Sequence, residues 1–100
     1  MLNDRLRVHG AGGKIMMTSG VASLDARILG QVMDGVRRHD QFTADNDPYG
    51  EHDFGQVRVE GFDVMWKIDY YDHAFAYASP DPADAGVTQR VLTVMLAAEY

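Results

Sequence analysis

The chain has 100 residues, 46% of them hydrophobic, no cysteine and a formal charge of −6 at pH 7. That length and apolar content make one domain, residues 1–100, with a packed core rather than a disordered chain. The absence of cysteine excludes disulfides, thiolate metal sites and cysteine nucleophiles, no apolar run approaches the roughly 20 residues of a membrane span, and Met1–Arg7 lacks the apolar stretch of a signal peptide, so a cytoplasmic protein with no membrane contact is expected.

Leu2 and Leu6 stand four apart with Asn3, Asp4, Arg5 and Arg7 between and beyond them, which predicts a short helix over 2–9. Gly10, Gly12 and Gly13 end it, and a strand over Lys14–Ser19 follows. Ser23 reads as an N-cap with Asp25 in the first turn. Leu24, Ile28, Val32 and Val36 recur every four residues, widened by Leu29 and Met33, and predict an amphipathic helix over 24–38. Arg37, Arg38 and His39 suit its C-terminus.

A polar loop, roughly 40–53, comes next. Gln56–Glu60 alternates as a strand, Gly61 makes a tight turn, and Asp63–Tyr71 is a second strand with Val64, Trp66, Ile68 and Tyr70 on one face. Met65, Lys67, Asp69 and Tyr71 take the other face. After a turn at Asp72-His73, Phe75 and Tyr77 alternate with Ala74, Ala76 and Ala78 as a third strand of an antiparallel meander. Asp81 as N-cap, Pro82 at the first helical position and Asp84 in an acidic first turn predict a final helix over 82–98, burying Val87, Val91, Val94 or Met95, and Ala98.

The order is α-β-α-β-β-β-α, an α+β fold: a small, mostly antiparallel sheet with helices packed on one face. The pairing of the first strand is left open. Leu24, Ile28, Val32, Val36, Val57, Val59, Trp66, Ile68, Val91 and Met95 are expected in one core.

The densest chemistry lies in Asp45-Asn46-Asp47-Pro48-Tyr49-Gly50-Glu51-His52-Asp53-Phe54-Gly55. A loop needs Gly, Pro, Asn and Asp to turn, but not Glu51, His52 and Asp53 beside them. Asp45, Asp47, Tyr49, Glu51, His52, Asp53 and Phe54 are therefore either a binding site or a polar hub in which Asp45 or Asp47 accepts backbone N–H groups and Asp53 pairs with Lys67 or Arg58. A hard-cation site would draw on Asp45, Asp47, Glu51, His52 and Asp53 and would support a metal-assisted hydrolase. A calcium loop of the helix–loop–helix kind does not fit: its fifth position is Tyr49, its twelfth Gln56, and a strand follows. Lys67, Asp69 and Tyr71 form a second polar patch, read as acid–base chemistry or as ion pairing on a solvent-facing strand. Trp66 is expected in the core and Tyr70, Tyr71 and Tyr77 at an interface. No serine or threonine has nucleophile context, the histidines lack paired ligand spacing, and Gly10–Lys14 precedes a strand where a phosphate loop must follow one. No cofactor is implied and no catalytic residue is assigned.

Five blocks carry a resemblance: NDRLR at Asn3–Arg7, DNDPYGEHDFG at Asp45–Gly55, WKIDYYD at Trp66–Asp72, SPDPAD at Ser79–Asp84 and RVLTVMLAAEY at Arg90–Tyr100. On these the chain resembles the small bacterial proteins grouped as domain of unknown function 3768. The resemblance implies no activity. It implies a setting on mobile genetic elements, beside anti-restriction and conjugation genes. The negative charge argues against direct nucleic-acid binding and favours a protein partner with a basic surface. The reading is a small acidic binding protein that inhibits host restriction or CRISPR machinery through Asp40, Asp45, Asp47, Glu51 and Asp53. A metal-assisted hydrolase and a structural or dimerising accessory protein are the alternatives, and the oligomeric state is left open.

Overall fold

The computed structural model describes residues 2–75 and 77–100. Helix α1 spans Leu2–His9 and strand β1 Gly13–Met17. A single helical turn, α2, covers Ser19–Ala22 before the longer α3, Ala26–Arg38. Strands β2 (Phe54–Val59), β3 (Phe62–Tyr71) and β4 (Gln89–Leu96) follow, and a 3-10 turn occupies Ala97–Glu99. The strands form one sheet in the order β1-β4-β3-β2. β2–β3 and β3–β4 are antiparallel and β1–β4 is parallel, so the fold is α+β with a mixed, mostly antiparallel sheet.

The four-residue period of α3 turns Val32 and Val36 into the core, against Trp66, Ile68 and Val64 of β3 and Leu92 and Val94 of β4. Leu6 of α1 and Val21 of α2 join the same cluster, so the helices all cover one face of the sheet. Leu24, Ile28, Val57 and Val59 pack at its margin. Val91 and Met95 are buried but alternate with Leu92 and Val94, and so lie on the reverse face with Met65. One core containing all ten expected residues is thus corrected to a main core and a smaller reverse-face cluster. Ser23 ends α2, and the N-cap of α3 is Asp25, whose carboxylate accepts from the Arg27 amide at 2.8 Å.

Two element assignments are overturned. The expected helix over 82–98 is a turn-rich segment followed by β4. Asp81 and Asp84, read as helix-starting acids, accept from the amides of Ala83 (3.2 Å) and Gly86 (2.8 Å) in two Asx turns. Val91-Leu92-Thr93-Val94-Met95-Leu96 is near-continuously apolar because β4 is one of the sheet's two interior strands and buries side chains on both faces. The third meander strand is a turn instead. Phe75 sits at φ +57° and donates its amide to Asp72 O, and Asp72 donates to Tyr77 O. A single bridge, Tyr71 to Ala78, is what remains of strand pairing there. Ala76, assigned to the same strand, lies outside the described residues. Among the described residues no helix is long and apolar enough to cross a membrane.

Gly55 faces Trp66 across the β2–β3 pair, and a Cβ built on it would meet Trp66 Nε1 at 2.5 Å. The indole therefore lies over bare backbone.

Candidate functional site

The loop is organised by one residue from outside it. Arg7 of α1 is buried, and its Nη1 donates to three carbonyls: Val36 (2.9 Å), Arg37 (3.0 Å) and His39 (2.7 Å). These carbonyls lie at the C-terminus of α3, where helical donors run out and a cation also suits the helix dipole; Val36 O accepts from His39 N as well, at 3.4 Å. Its Cζ lies 5.3 Å from the centroid of the Phe42 ring and 5.2 Å from that of Trp66. Nη2 reaches Asp4 at 3.2 Å. The charge next to His39, together with burial, holds that imidazole below its ordinary pKa, burial being the larger cause.

Within the loop, Thr43 and Asn46 bond reciprocally: Thr43 N donates to Asn46 Oδ1 (2.8 Å) and Asn46 N to Thr43 Oγ1 (3.3 Å). Asp47, only 6% exposed at its side chain, accepts through Oδ1 from the amides of Glu51 (3.0 Å) and His52 (3.2 Å). This brackets Pro48-Tyr49-Gly50 into a closed turn, with Gly50 at φ +64°. His52 takes φ +53°, which aims its ring back under the loop. There it stacks on Phe42 and presents Nδ1 to Asp4 Oδ1 at 3.0 Å and Nε2 to Asp47 Oδ2 at 3.5 Å. Burial acts to raise the Asp4 pKa, but hydrogen bonds from His52 and Arg7, with their charges, outweigh it and hold the carboxyl below its ordinary value. Asp53 continues the β2–β3 ladder, its carbonyl accepting from Ile68 N at 2.8 Å.

The candidate residues therefore divide. Asp47 and His52 form the frame of the loop. Asp45 is exposed and Tyr49, at the turn, is 85% exposed. Glu51 is exposed; slight burial first, then the charges of Asp53 and Asp47, push its carboxyl up. Asp40 is exposed at the start of the loop. Phe54 is carried by β2 to the reverse face of the sheet, its ring 6.4 Å from that of Tyr100. Lys67 and Asp69 pair with each other at 2.9 Å along β3, which raises the Lys67 pKa through that hydrogen bond. Arg58 pairs with Asp63 at 3.0 Å, so neither cation is held by Asp53. Trp66 is fully buried. Among the described residues no three His, Asp or Glu side chains gather into a group that would hold a metal ion.

The contributors that sequence reasoning missed are Asn3, Asp4 and Arg7. Asn3 Nδ2 donates to Glu51 O at 2.9 Å and to the Tyr70 hydroxyl at 2.7 Å, across sequence separations of 48 and 67. Their signal was present but oblique: three polar residues crowded into a helix that buries one of its faces.

No curated protein and no solved structure matches the chain. A family model described as "Protein of unknown function (DUF3768)" matches residues 17–99, from the end of β1 through the 3-10 turn. The loop, the sheet around Trp66 and the Asx-turn segment all fall within that span, and the chain belongs to this family of unknown function.

Proposed function

We propose that the chain is a small acidic binding protein that engages a basic surface of a partner protein through the outer edge of the 40–53 loop. The observation that carries this reading is Tyr49, 85% exposed on a turn that Asp47 fixes with two backbone bonds. An aromatic side chain held in water on a preorganised turn is a ready anchor, because little conformational entropy remains to be lost on docking. Asp40, Asp45 and Glu51 add exposed carboxylates to the same loop, giving the long-range attraction that speeds encounter with a basic partner. The partner class in this reading is a nucleic-acid enzyme of host defence, restriction or CRISPR, whose basic substrate surface the loop covers. The test is capture of bacterial lysate proteins on the wild-type chain, on Tyr49→Ala and on Asp45→Asn/Glu51→Gln. Capture that weakens with salt between about 50 and 500 mM and drops in both variants supports the reading. Capture that survives both substitutions at high salt defeats it.

A dimerising role is favoured by a different observation. The sheet ends at β1, whose residues are all exposed, including Ile15, Met16 and Met17. An apolar open edge of this kind is a pairing surface for another strand. The mass in solution of wild type and of Met16→Lys tests it: a dimer that the lysine dissolves supports it, and a wild-type monomer up to about 100 μM defeats it.

A further inference from the structure

We propose that the chain carries a small-molecule pocket between α1 and the Asx-turn segment, built for an apolar zwitterion of the α-amino-acid class. This stands apart from the loop reading, sharing only Glu51 with it. The cavity is about 380 Å³, within the usual range for ligand sites. Its polar lining consists of Asn3, Tyr70, Arg90 and Glu51. Leu2, Pro82 and Ala83 form the apolar wall.

Two of the polar side chains are buried and incompletely bonded. Arg90 is 5% exposed; its Nη2 donates to Pro82 O, but its Nη1 is buried with no partner, and no described carboxylate lies within ion-pair reach. A buried guanidinium without a counter-charge is costly, and a ligand carboxylate supplies one in the fork geometry arginine favours. Tyr70 stands directly opposite Arg90 across β3–β4, with the guanidinium 5.1 Å from its ring centroid. Its hydroxyl oxygen already accepts from Asn3, so its own proton is available to the same carboxylate.

Asn3, 6% exposed, has the opposite deficit. Both of its recorded bonds are made by Nδ2, and the carbonyl of Glu51 fixes that orientation because it can only accept. Asn3 Oδ1 is left buried with no donor. A ligand ammonium supplies one, and the Glu51 carboxylate on the same lining supplies its counter-charge. A simple anion in this pocket meets Glu51, and a simple cation meets Arg90. A zwitterion answers both deficits and is neutral overall, as the pair Arg90 and Glu51 is. The apolar wall is fixed in place: Thr88 Oγ1 donates to Asp81 O at 2.7 Å, and Arg90 holds Pro82.

The test is calorimetric titration of the wild-type chain with L-leucine, L-phenylalanine, 3-phenylpropionate and 2-phenylethylamine. Saturable binding of an amino acid is expected, with removal of either its amine or its carboxylate weakening affinity at least about tenfold, the loss of one charge-assisted contact. Ala83→Phe fills the cavity from an exposed position without removing a hydrogen-bonded side chain, and is expected to abolish binding at an unchanged melting temperature. Glu51→Gln is expected to weaken phenylalanine and spare 3-phenylpropionate. The ligand series on wild type reads the result however either variant folds. No saturable heat from any probe at about 10 mM overturns the proposal. So does 3-phenylpropionate binding as tightly as phenylalanine, or phenylalanine binding unchanged in folded Ala83→Phe.

Discussion

His52 lies flat on Phe42, with ring centroids 3.8 Å apart and planes 5° from parallel, and its two nitrogens face carboxylates from α1 and from the loop itself. The stack joins a residue just after α3 to one just before β2, so it closes the loop at its neck. His52→Ala removes the stack and both carboxylate contacts and is expected to lower stability by about 1–2 kcal/mol. Hydrogen exchange is expected to quicken at the Glu51 and His52 amides, which Asp47 protects, while the β3 amides stay slow.

Arg7 is the larger determinant. Its substitution by Met keeps the aliphatic stem against Phe42 and Trp66 but takes the guanidinium donor from three carbonyls at the end of α3, of which Val36 O retains the His39 amide. Urea denaturation is expected to show a loss of about 3 kcal/mol, with loss at the level of an exposed substitution, under about 0.5 kcal/mol, counting against this account.

Gly55 admits no side chain because the indole of Trp66 occupies the space a Cβ would fill. Gly55→Ala is expected to cost about 1–3 kcal/mol as an overpacking change. Trp66 is the chain's single tryptophan, so its emission reports the displacement directly, shifting red as the indole is pushed from the core.

The Asp4 carboxyl has a lower pKa folded than unfolded. Near pH 4 the unfolded chain binds the greater share of a proton at this site, so stability rises with pH there. The contribution of Asp4 is complete above about pH 5 and is lost as pH falls through the lowered folded value. Asp4→Asn is expected to be less stable than wild type at pH 7 and to lose less on acidification from pH 5 to 3, by thermal melts at fixed ionic strength.

α3 and the β2–β3 hairpin were legible because each exposes one face to water, which imprints a period of 3.6 or 2 on the sequence. That Asp47 accepts backbone N–H groups was legible because the contact is local, although it reaches the amides four and five residues on rather than closing an Asx turn. β4 was not, because a strand that buries side chains on both faces has no polar side to mark its period, and Val87, Val91 and Met95 then match helical spacing by accident. Asp81 and Asp84 strengthened that error, since the carboxylate-to-amide bond that caps a helix is the same bond that closes an Asx turn. The tie from Asn3 and Arg7 to the loop was hidden for another reason: contacts across 29 to 67 residues leave no local signature.

The position of β4 in the sheet has a consequence for how the chain is made. It lies between β1 and β3, yet it follows both of them in the chain. Until residue 96 has emerged, β1 has no neighbour and β3 is paired on one side only. The helices meanwhile have half a floor to settle on. Completion of the sheet is therefore limited by closure of the long loop joining residues 13–17 to 90–94, and slow for a fold of this size. A nascent chain stalled before that point exposes two strand edges at once, which makes it a natural substrate for chaperones.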